Sequence, residues 1–388
     1  MTELVRRGHA VDYWSFDEFR DAIERAGARF RRYPEIPEYR ARQAADNLVR
    51  LARLVMEVTE QILPVVLREL RAEPPDVIVH DALAVWGAYV ARVLRIPAVS
   101  SISTFVVDGR VIRRDPALVL YGARQVAAAW LDLVPFERIR RTLRRTYGAP
   151  APRAGEMWSI RERLNVVFSS RELQPYGELF GDDYAFVGAS LRDEPRSDLT
   201  FETSLTPPLV FVSLGTLFND RPEFFRAAIE ALGPLAGTLV LSIGDSVDPT
   251  SLRPLRPSVV VRRFVPQLAV LRDAALFVTH GGMNSVTEAL YHGVPLIVYP
   301  QVHDQLIVAR RVAELGAGVV LRGTPGVAAI RRAAERVLAE PRYRARAAAL
   351  GATLRAAGGA SRAADEIERF AGEQRVTREA VSARERAS

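Results

Sequence analysis

The residues best suited to chemistry lie in one stretch, residues 275–305, where polar and glycine residues follow an apolar run. His280 and Gly282 come directly after that run, and glycine tolerates the positive φ of a sharp turn. Ser285 and Glu288 have the spacing of a capping box, which marks a helix start. A turn from a strand into a helix N-terminus presents free N–H groups and a positive dipole end to an anion. A ligand with a diphosphate is therefore the first class that this stretch suggests.

The elements that position these residues follow from the same pattern. We expect the helix to begin at about Asn284 or Ser285 and to end at Gly293 and Pro295, since glycine suits the C′ position and proline cannot continue a helix. The apolar run 296–299 predicts a second, parallel strand. The stretch is thus a strand–helix–strand unit.

Composition limits the function classes. The chain has 388 residues, 48% of them hydrophobic, and a formal net charge of +7. It has no cysteine, so disulfides and thiolate metal sites are excluded, and its 5 histidines are too scattered for a metal site. All basic residues are arginines and are interspersed with acids, a pattern that does not favour a nucleic-acid partner. We expect no membrane span and a cytoplasmic location, since about 18 consecutive apolar residues and a signal-peptide core are both missing.

Strands and helices alternate in both halves of the chain, which predicts two doubly wound parallel α/β domains facing a cleft. The predicted domains cover 1–195 and 209–355, joined by a linker at 196–208. A helix at 356–372 is expected to pack back on the first domain. The charged tail 373–388 is expected to be disordered.

Four motifs carry a resemblance to a known family: FVSLGT at 211–216, FVPQLAVL at 264–271, THGGMNSVTEALYHGVP at 279–295 and PQVHDQ at 300–305. Their order and spacing resemble the donor-binding half of nucleotide-sugar-dependent glycosyltransferases with the GT-B fold. Within that family, the chain is most similar to the bacterial macrolide glycosyltransferase-like group. The first half of the chain resembles the family less closely, mainly in residues 6–11 and 75–100.

The resemblance implies a donor site for a UDP-sugar, or a dTDP-sugar, as co-substrate and no further cofactor or metal. Its donor-binding residues would be Thr216, Phe264, Val265, Gln267, His280, Gly282, Asn284, Ser285 and Glu288. His280 and the helix start would hold the diphosphate, Glu288 the ribose, and Phe264 the base, where relatives usually have a tryptophan. Asp304 and Gln305 would bind the sugar, and in relatives this pair accompanies hexose donors.

The residues alone leave simpler alternatives open for each position. His280 would then cap the turn, Glu288 would complete the capping box, and Asn284 and Ser285 would cap the helix. The segment around Gln267 and the pair at 304–305 would be ordinary loop ends.

The implied reaction is an inverting, metal-independent transfer to a hydroxyl of a hydrophobic small-molecule acceptor such as a macrolide, polyketide or flavonoid. The apolar region 101–147 corresponds to the acceptor region of relatives, although it is equally typical of a core. In the family, a histidine acts as the general base and an aspartate orients it. Asp81 matches that aspartate; its alternative role is a helix N-cap.

The base histidine itself is missing, because family members begin with a strand and a loop that carry it. His9 lies at the far end of the following helix, and His80 should point to the opposite face from Asp81. The N-terminal domain therefore apparently lacks its first strand, which would lie between 11–16 and 77–79. Either the true start lies about 20–25 residues upstream, or the chain is an impaired or auxiliary homologue that binds nucleotide sugars.

Overall fold

A computed structural model describes residues 1–36, 47–158, 160–191, 205–216 and 219–387. The chain divides into two compact units. The N-terminal unit comprises Met1–Val167, Glu178–Phe186 and Ala360–Ser388, and the C-terminal unit comprises Phe168–Gly177 and Val187–Gly359. Most of the linker predicted at 196–208 lies outside the described residues.

The N-terminal unit alternates strands and helices. Its strands are β1 (Asp12–Ser15), β2 (Arg29–Arg32), β3 (Ile78–Asp81), β4 (Ala98–Ile102), β5 (Leu164–Val167) and β6 (Tyr184–Phe186). Its helices up to residue 147 are α1 (Thr2–Arg6), α2 (Arg20–Arg25), α3 (Leu48–Ala72), α4 (Val85–Leu94), α5 (Gly109–Arg114), α6 (Pro116–Ala129) and α7 (Leu133–Tyr147).

All strand pairs of this unit are parallel, but they form two separate sheets. β3, β4, β5 and β6 pair in that order, while β1 pairs with β2 alone. Among the described strands, no hydrogen-bonded ladder joins β1 to β3.

The long helix α3 shows how the core of this unit forms. Asn47 caps it by accepting hydrogen bonds from the N–H groups of Val49 and Arg50 at 2.8 and 3.3 Å. One face is then buried at helical spacing and packs with α4 and α7. The helix continues through Pro64.

The C-terminal unit has a single six-stranded sheet. Its strands are β7 (Leu209–Ser213), β8 (Thr238–Ser242), β9 (Val259–Arg262), β10 (Ala274–Thr279), β11 (Leu296–Val298) and β12 (Gly318–Val320). Its helices are α8 (Pro222–Leu232), α9 (Gln267–Asp273), α10 (Met283–Tyr291), α11 (His303–Glu314), α12 (Val327–Ala339) and α13 (Pro341–Ala356).

The strands of this sheet are all parallel and lie in the order β12-β11-β10-β7-β8-β9. The order therefore reverses between β7 and β10. In open α/β sheets, ligands bind beyond the carboxyl ends of the strands at such a switch point. The predicted donor residues follow these two strands.

The last helix, α14 (Gly359–Ala387), belongs from Ala360 onward to the N-terminal unit. Arg7 bonds Asp365 and Glu368 at 2.7 and 2.6 Å, and His9 lies 2.7 Å from Glu368. The helix extends through the tail for which the sequence predicts disorder.

Phe211 and Phe277 form the hydrophobic contact between the two switch-point strands. Both rings are fully buried, with centroids 4.7 Å apart and planes at 9°. We expect Phe277→Ala to lower the free energy of unfolding by about 3–5 kcal/mol, because it opens a cavity where two central strands meet. Urea unfolding of the full chain measures this change.

The matched control is Phe264→Ala, the same substitution in the same unit at a half-exposed ring. It should change the free energy of unfolding by less than about 0.5 kcal/mol. Equal effects of the two substitutions would contradict this view of the core.

Candidate functional site

His280 lies at the centre of the switch point. It directly follows β10, whose last residue Thr279 is in register with Ser213 at the end of β7. The imidazole bonds with the backbone of Ser213, and its Nδ1 lies 3.4 Å from Thr279 Oγ1. The ring is therefore tied to both strands.

Two glycines make room for this ring. A Cβ at Gly215 would lie 2.7 Å from His280 Cε1, and a Cβ at Gly282 would lie 2.5 Å from His280 Nε2. Gly215 also has a φ of 76°, which favours glycine. The imidazole is thus held between two backbone turns that only glycine allows at this distance.

Burial lowers the pKa of the His280 imidazole to about 4, although the hydrogen bond with the Ser213 backbone raises it in part. The ring is therefore neutral at pH 7. Since the Ser213 carbonyl accepts one ring N–H, the other ring nitrogen of the neutral form has no proton to donate.

The helix after His280 begins one or two residues before the predicted start. α10 starts at Met283 with Gly282 as its N-cap, and no side chain caps it. The prediction of a Ser285–Glu288 capping box is therefore wrong. The first N–H groups of α10 have no intrahelical acceptor, so this end of the helix keeps the donors that an anion needs, beside His280.

Ser285 and Glu288 instead share the face of α10 that meets α9, as residues three apart do. Gln267 Nε2 donates to Glu288 Oε2 at 2.5 Å and lies 3.3 Å from Ser285 Oγ. Burial raises the pKa of Glu288, and the bond from Gln267 lowers it in part. The sequence-predicted residues Gln267, Ser285 and Glu288 thus form one polar cluster.

The remaining predicted donor residues lie in the loops after β7 and β9 and in the first turn of α10. Phe264 is 45% exposed in the loop after β9, and the neighbouring Val265 is buried. Asn284 is exposed in the first turn of α10, and Thr216 is exposed in the turn after β7. Phe264 thus has an accessible ring face, while Val265 offers only backbone groups.

The pair predicted to bind sugar lies in the first turn of α11 and not in a loop, because α11 begins at His303. Asp304 is exposed. Gln305 is buried, and its Oε1 accepts hydrogen bonds from the N–H groups of Gln301 and Val302 at 2.8 and 3.3 Å. Gln305 therefore caps its own helix with the carbonyl, which leaves the amide NH₂ for a ligand.

Sequence reasoning missed Asn219, which holds the turn that carries Thr216. Its Nδ2 donates to the Gly215 carbonyl at 2.9 Å, and the side chain is buried against Gly244, where a Cβ would lie 2.0 Å from Nδ2. An isolated asparagine in a loop gives no periodic signal, so only the folded contacts show its role.

Asp81 ends β3 in the N-terminal unit and is exposed. Its Oδ1 accepts the N–H of Leu83 at 2.8 Å, so it closes a turn and does not cap α4. His80 is buried on the opposite face, as predicted, and lies 3.4 Å from Glu162. The described residues contain no group of three or more His, Asp or Glu side chains placed to hold a metal ion.

Comparison with known proteins identifies the family and the fold. The family model described as erythromycin biosynthesis protein CIII-like, C-terminal domain, matches residues 226–368. The chain is 32% identical over 377 residues to the NDP-glycosyltransferase YjiC of Bacillus licheniformis, covering 95% of this chain and 92% of that protein. It is 31% identical over 383 residues to the demethyllactenocin mycarosyltransferase of Streptomyces fradiae, covering 94% and 81%.

A solved structure, that of the calicheamicin glycosyltransferase CalG4, superposes with a TM-score of 0.78 at 32% identity. The match covers 96% of this chain and 93% of that one. It extends the similarity over both units and confirms the fold class.

The fit of His280 between its glycines gives a direct test. Gly282→Ala should weaken UDP binding at least about tenfold, because the new Cβ displaces the imidazole from the helix start. Isothermal titration calorimetry measures the affinity.

Gly326→Ala is the matched control. Gly326 is likewise the N-cap of a helix, α12, and like Gly282 has a negative φ, but its Cβ would meet nothing within 4 Å. It should bind UDP as the wild type does. Wild-type affinity in Gly282→Ala would refute the placement of His280 in the donor site.

Proposed function

The chain belongs to the nucleotide-sugar-dependent glycosyltransferases of the GT-B fold, and we propose that it moves a hexose from a UDP-sugar to a hydroxyl of a hydrophobic small-molecule acceptor. The acceptor class would be that of macrolides, polyketides and flavonoid-like natural products. One observation carries the proposal: His280 and the open start of α10 meet at the switch point between β7 and β10. We further propose a cytoplasmic location and no nucleic-acid partner.

The proposed donor site assigns one part of the ligand to each group of residues. The N–H groups at the start of α10 and His280 bind the diphosphate. Glu288, oriented by Gln267, accepts hydrogen bonds from the ribose diol, and the exposed Phe264 ring stacks on the base. Asp304 and the Gln305 amide bind hexose hydroxyls. A dTDP-sugar would use the same contacts.

The proposed chemistry is a single inverting displacement. The acceptor oxygen attacks the anomeric carbon, the bond to the diphosphate oxygen breaks, and the leaving nucleoside diphosphate carries the charge. The helix start and His280 stabilise that charge without a metal ion. The acceptor proton passes to a general base, which Asp81 would orient.

A second candidate function is nucleotide-sugar binding without transfer. One observation favours it: in the unit that holds Asp81, the two histidines are His9 and His80, and neither bonds its carboxylate. His9 pairs with Glu368. His80 lies 3.0 Å from the backbone carbonyl of Asp81 and 3.4 Å from Glu162.

Mass spectrometry of products distinguishes the two functions. The full chain is given UDP-glucose or dTDP-glucose with macrolide, polyketide and flavonoid acceptors. We expect acceptor plus one hexose, in unchanged yield with EDTA, and a β-glucoside by NMR. His280→Ala should lower the yield and weaken donor binding at least about tenfold, while the control His292→Ala should not. UDP-glucose binding with no product from any acceptor would support the second function.

Proton uptake tests how His280 holds the diphosphate. A bound dianion favours the imidazolium and should raise the pKa of His280 by about 1–3 units from its low free value. Donor binding should then take up a proton at about pH 5–6, so UDP-glucose, which does not titrate there, should bind more tightly as the pH falls from 7.

Calorimetry in buffers of different ionisation enthalpy counts the protons. His280→Gln should abolish the uptake, whereas His292→Gln should retain it. Wild-type binding heats that do not depend on the buffer at pH 5.5 would contradict the ion pair.

A further inference from the structure

The outer face of α6 and the start of α7 carries an apolar stripe. Its large side chains are each 43–63% exposed; they are Val119, Leu120, Val126, Trp130, Leu131 and Val134. Ala123 and Ala127, between them, are exposed as well. These positions recur every three or four residues and span roughly 20 Å at helical rise. Contiguous exposed apolar surface of this extent marks an interaction site.

The inner face of the same segment is firmly attached to α3. Gln125 accepts hydrogen bonds from Asn47 Nδ2 and the Leu48 N–H at 2.9 and 3.0 Å. Asp132 pairs with Arg53 at 2.8 Å. Phe136 and Leu143 are buried in the core that α3 forms. The stripe is therefore a solvent-facing surface of a fixed helix pair.

Arginines flank the stripe along the chain and lie within it at Arg124. Residues 108–147 contain nine arginines and four carboxylates, and the carboxylates already serve caps or ion pairs. Five of the arginines are exposed and have no carboxylate partner among the described residues; they are Arg113, Arg124, Arg138, Arg144 and Arg145. Among the described residues, the apolar surface is thus flanked by more exposed arginines than carboxylates.

We propose that this stripe docks on an anionic phospholipid surface. Leu120, Trp130 and Leu131 enter the boundary between headgroups and acyl chains, and the flanking arginines contact lipid phosphates. A helix with an apolar face and an arginine-rich margin is the kind that lies in a membrane interface, and each basic residue adds attraction to an anionic leaflet. A second copy of the chain is disfavoured because the exposed arginines of two identical surfaces would repel each other.

The segment lies on the membrane and does not cross it. Pro116–Tyr147 is, by length and composition alone, apolar enough for a span, the single such segment in the described part of the chain. However, the helix is interrupted after Ala129, whose φ and ψ are −142° and 31°, and the Asp132–Arg53 pair anchors it to α3. Charged groups held at this depth would be costly inside a bilayer.

Vesicle binding without donor or acceptor tests this proposal independently of the transfer reaction. We expect the protein to sediment with phosphatidylcholine vesicles that contain phosphatidylglycerol, less with phosphatidylcholine alone, and less as salt rises. Trp130 fluorescence should shift to the blue and be quenched by lipids brominated on the acyl chain. Trp130→Phe should remove most of that quenching.

Two double variants test whether the stripe and its arginines bind the vesicles. Leu120→Asp with Leu131→Asp, and separately Arg138→Glu with Arg145→Glu, should each lower the vesicle partition coefficient at least about tenfold. Phe19→Asp and Arg332→Glu, which change exposed residues outside α6 and α7, should leave it unchanged. Unaltered UDP affinity and thermal unfolding midpoint confirm that the variants fold.

Each of the following results would overturn the proposal. Wild-type protein that does not bind the anionic vesicles at low salt excludes a membrane surface, as does wild-type binding by the Leu120/Leu131 variant. If these substitutions raise the acceptor KM in vesicle-free solution and leave vesicle binding intact, the stripe belongs to the acceptor site. A loss of dimer in sedimentation velocity with no change on vesicles would assign it to a second copy.

Discussion

The enclosure of the His280 imidazole between Gly215 and Gly282 is the constraint on which the candidate site depends. A side chain at either glycine would overlap the ring, so the two turns after β7 and β10 can approach only with this combination of residues. The hydrogen bond with the Ser213 backbone then fixes the ring across the two strands. A buried, neutral imidazole and the open start of α10 consequently face the same space. A bound diphosphate would place its negative charge beside the neutral imidazole and the free N–H groups of α10.

The rest of the C-terminal unit maintains that arrangement. The stacked Phe211 and Phe277 rings hold β7 against β10 below the turns. Asn219 fixes the Gly215 turn from one side, and Gln267 braces Glu288 on the outer face of α10. The first and last of these contacts join elements that are distant in sequence, whereas the Asn219 bond closes a local turn. The candidate site is therefore braced around His280 and accessible at Phe264 and Asp304.

Most of the C-terminal fold was predictable because its signals are local. Apolar runs predicted the buried strands, and Gly293 and Pro295 predicted where α10 ends. The failures occurred where two local interpretations compete. Ser285 and Glu288 fit a capping box, but burial against α9 gives Glu288 a better partner in Gln267. Gln305 is part of a helix cap and not of a loop, because its amide satisfies two backbone donors.

The N-terminal unit was less predictable for a physical reason. β2 is arginine-rich and shows no apolar run; its Arg29 and Arg31 pair with Asp12 on β1, so ion pairs and backbone bonds define it. Asp81 was recognisable by motif and the opposite orientation of His80 by strand alternation, but only the fold shows which of the two side chains is exposed.

The two units thus contribute unequally to the residues proposed to bind ligands. Every group proposed to hold the donor lies in the C-terminal unit, on one sheet edge and the helices beside it. The N-terminal unit contributes an exposed carboxylate at the end of β3 and a separate apolar, arginine-flanked surface on α6 and α7. If the acceptor is the hydrophobic compound proposed above, it would concentrate in lipid, and a surface of that kind would bring the enzyme to it while the donor arrives from water. The arginines beside the stripe and the proposed diphosphate site would then serve different anions: exposed arginines attract lipid phosphates, whereas His280, neutral in the free protein, would gain its charge only with the bound diphosphate.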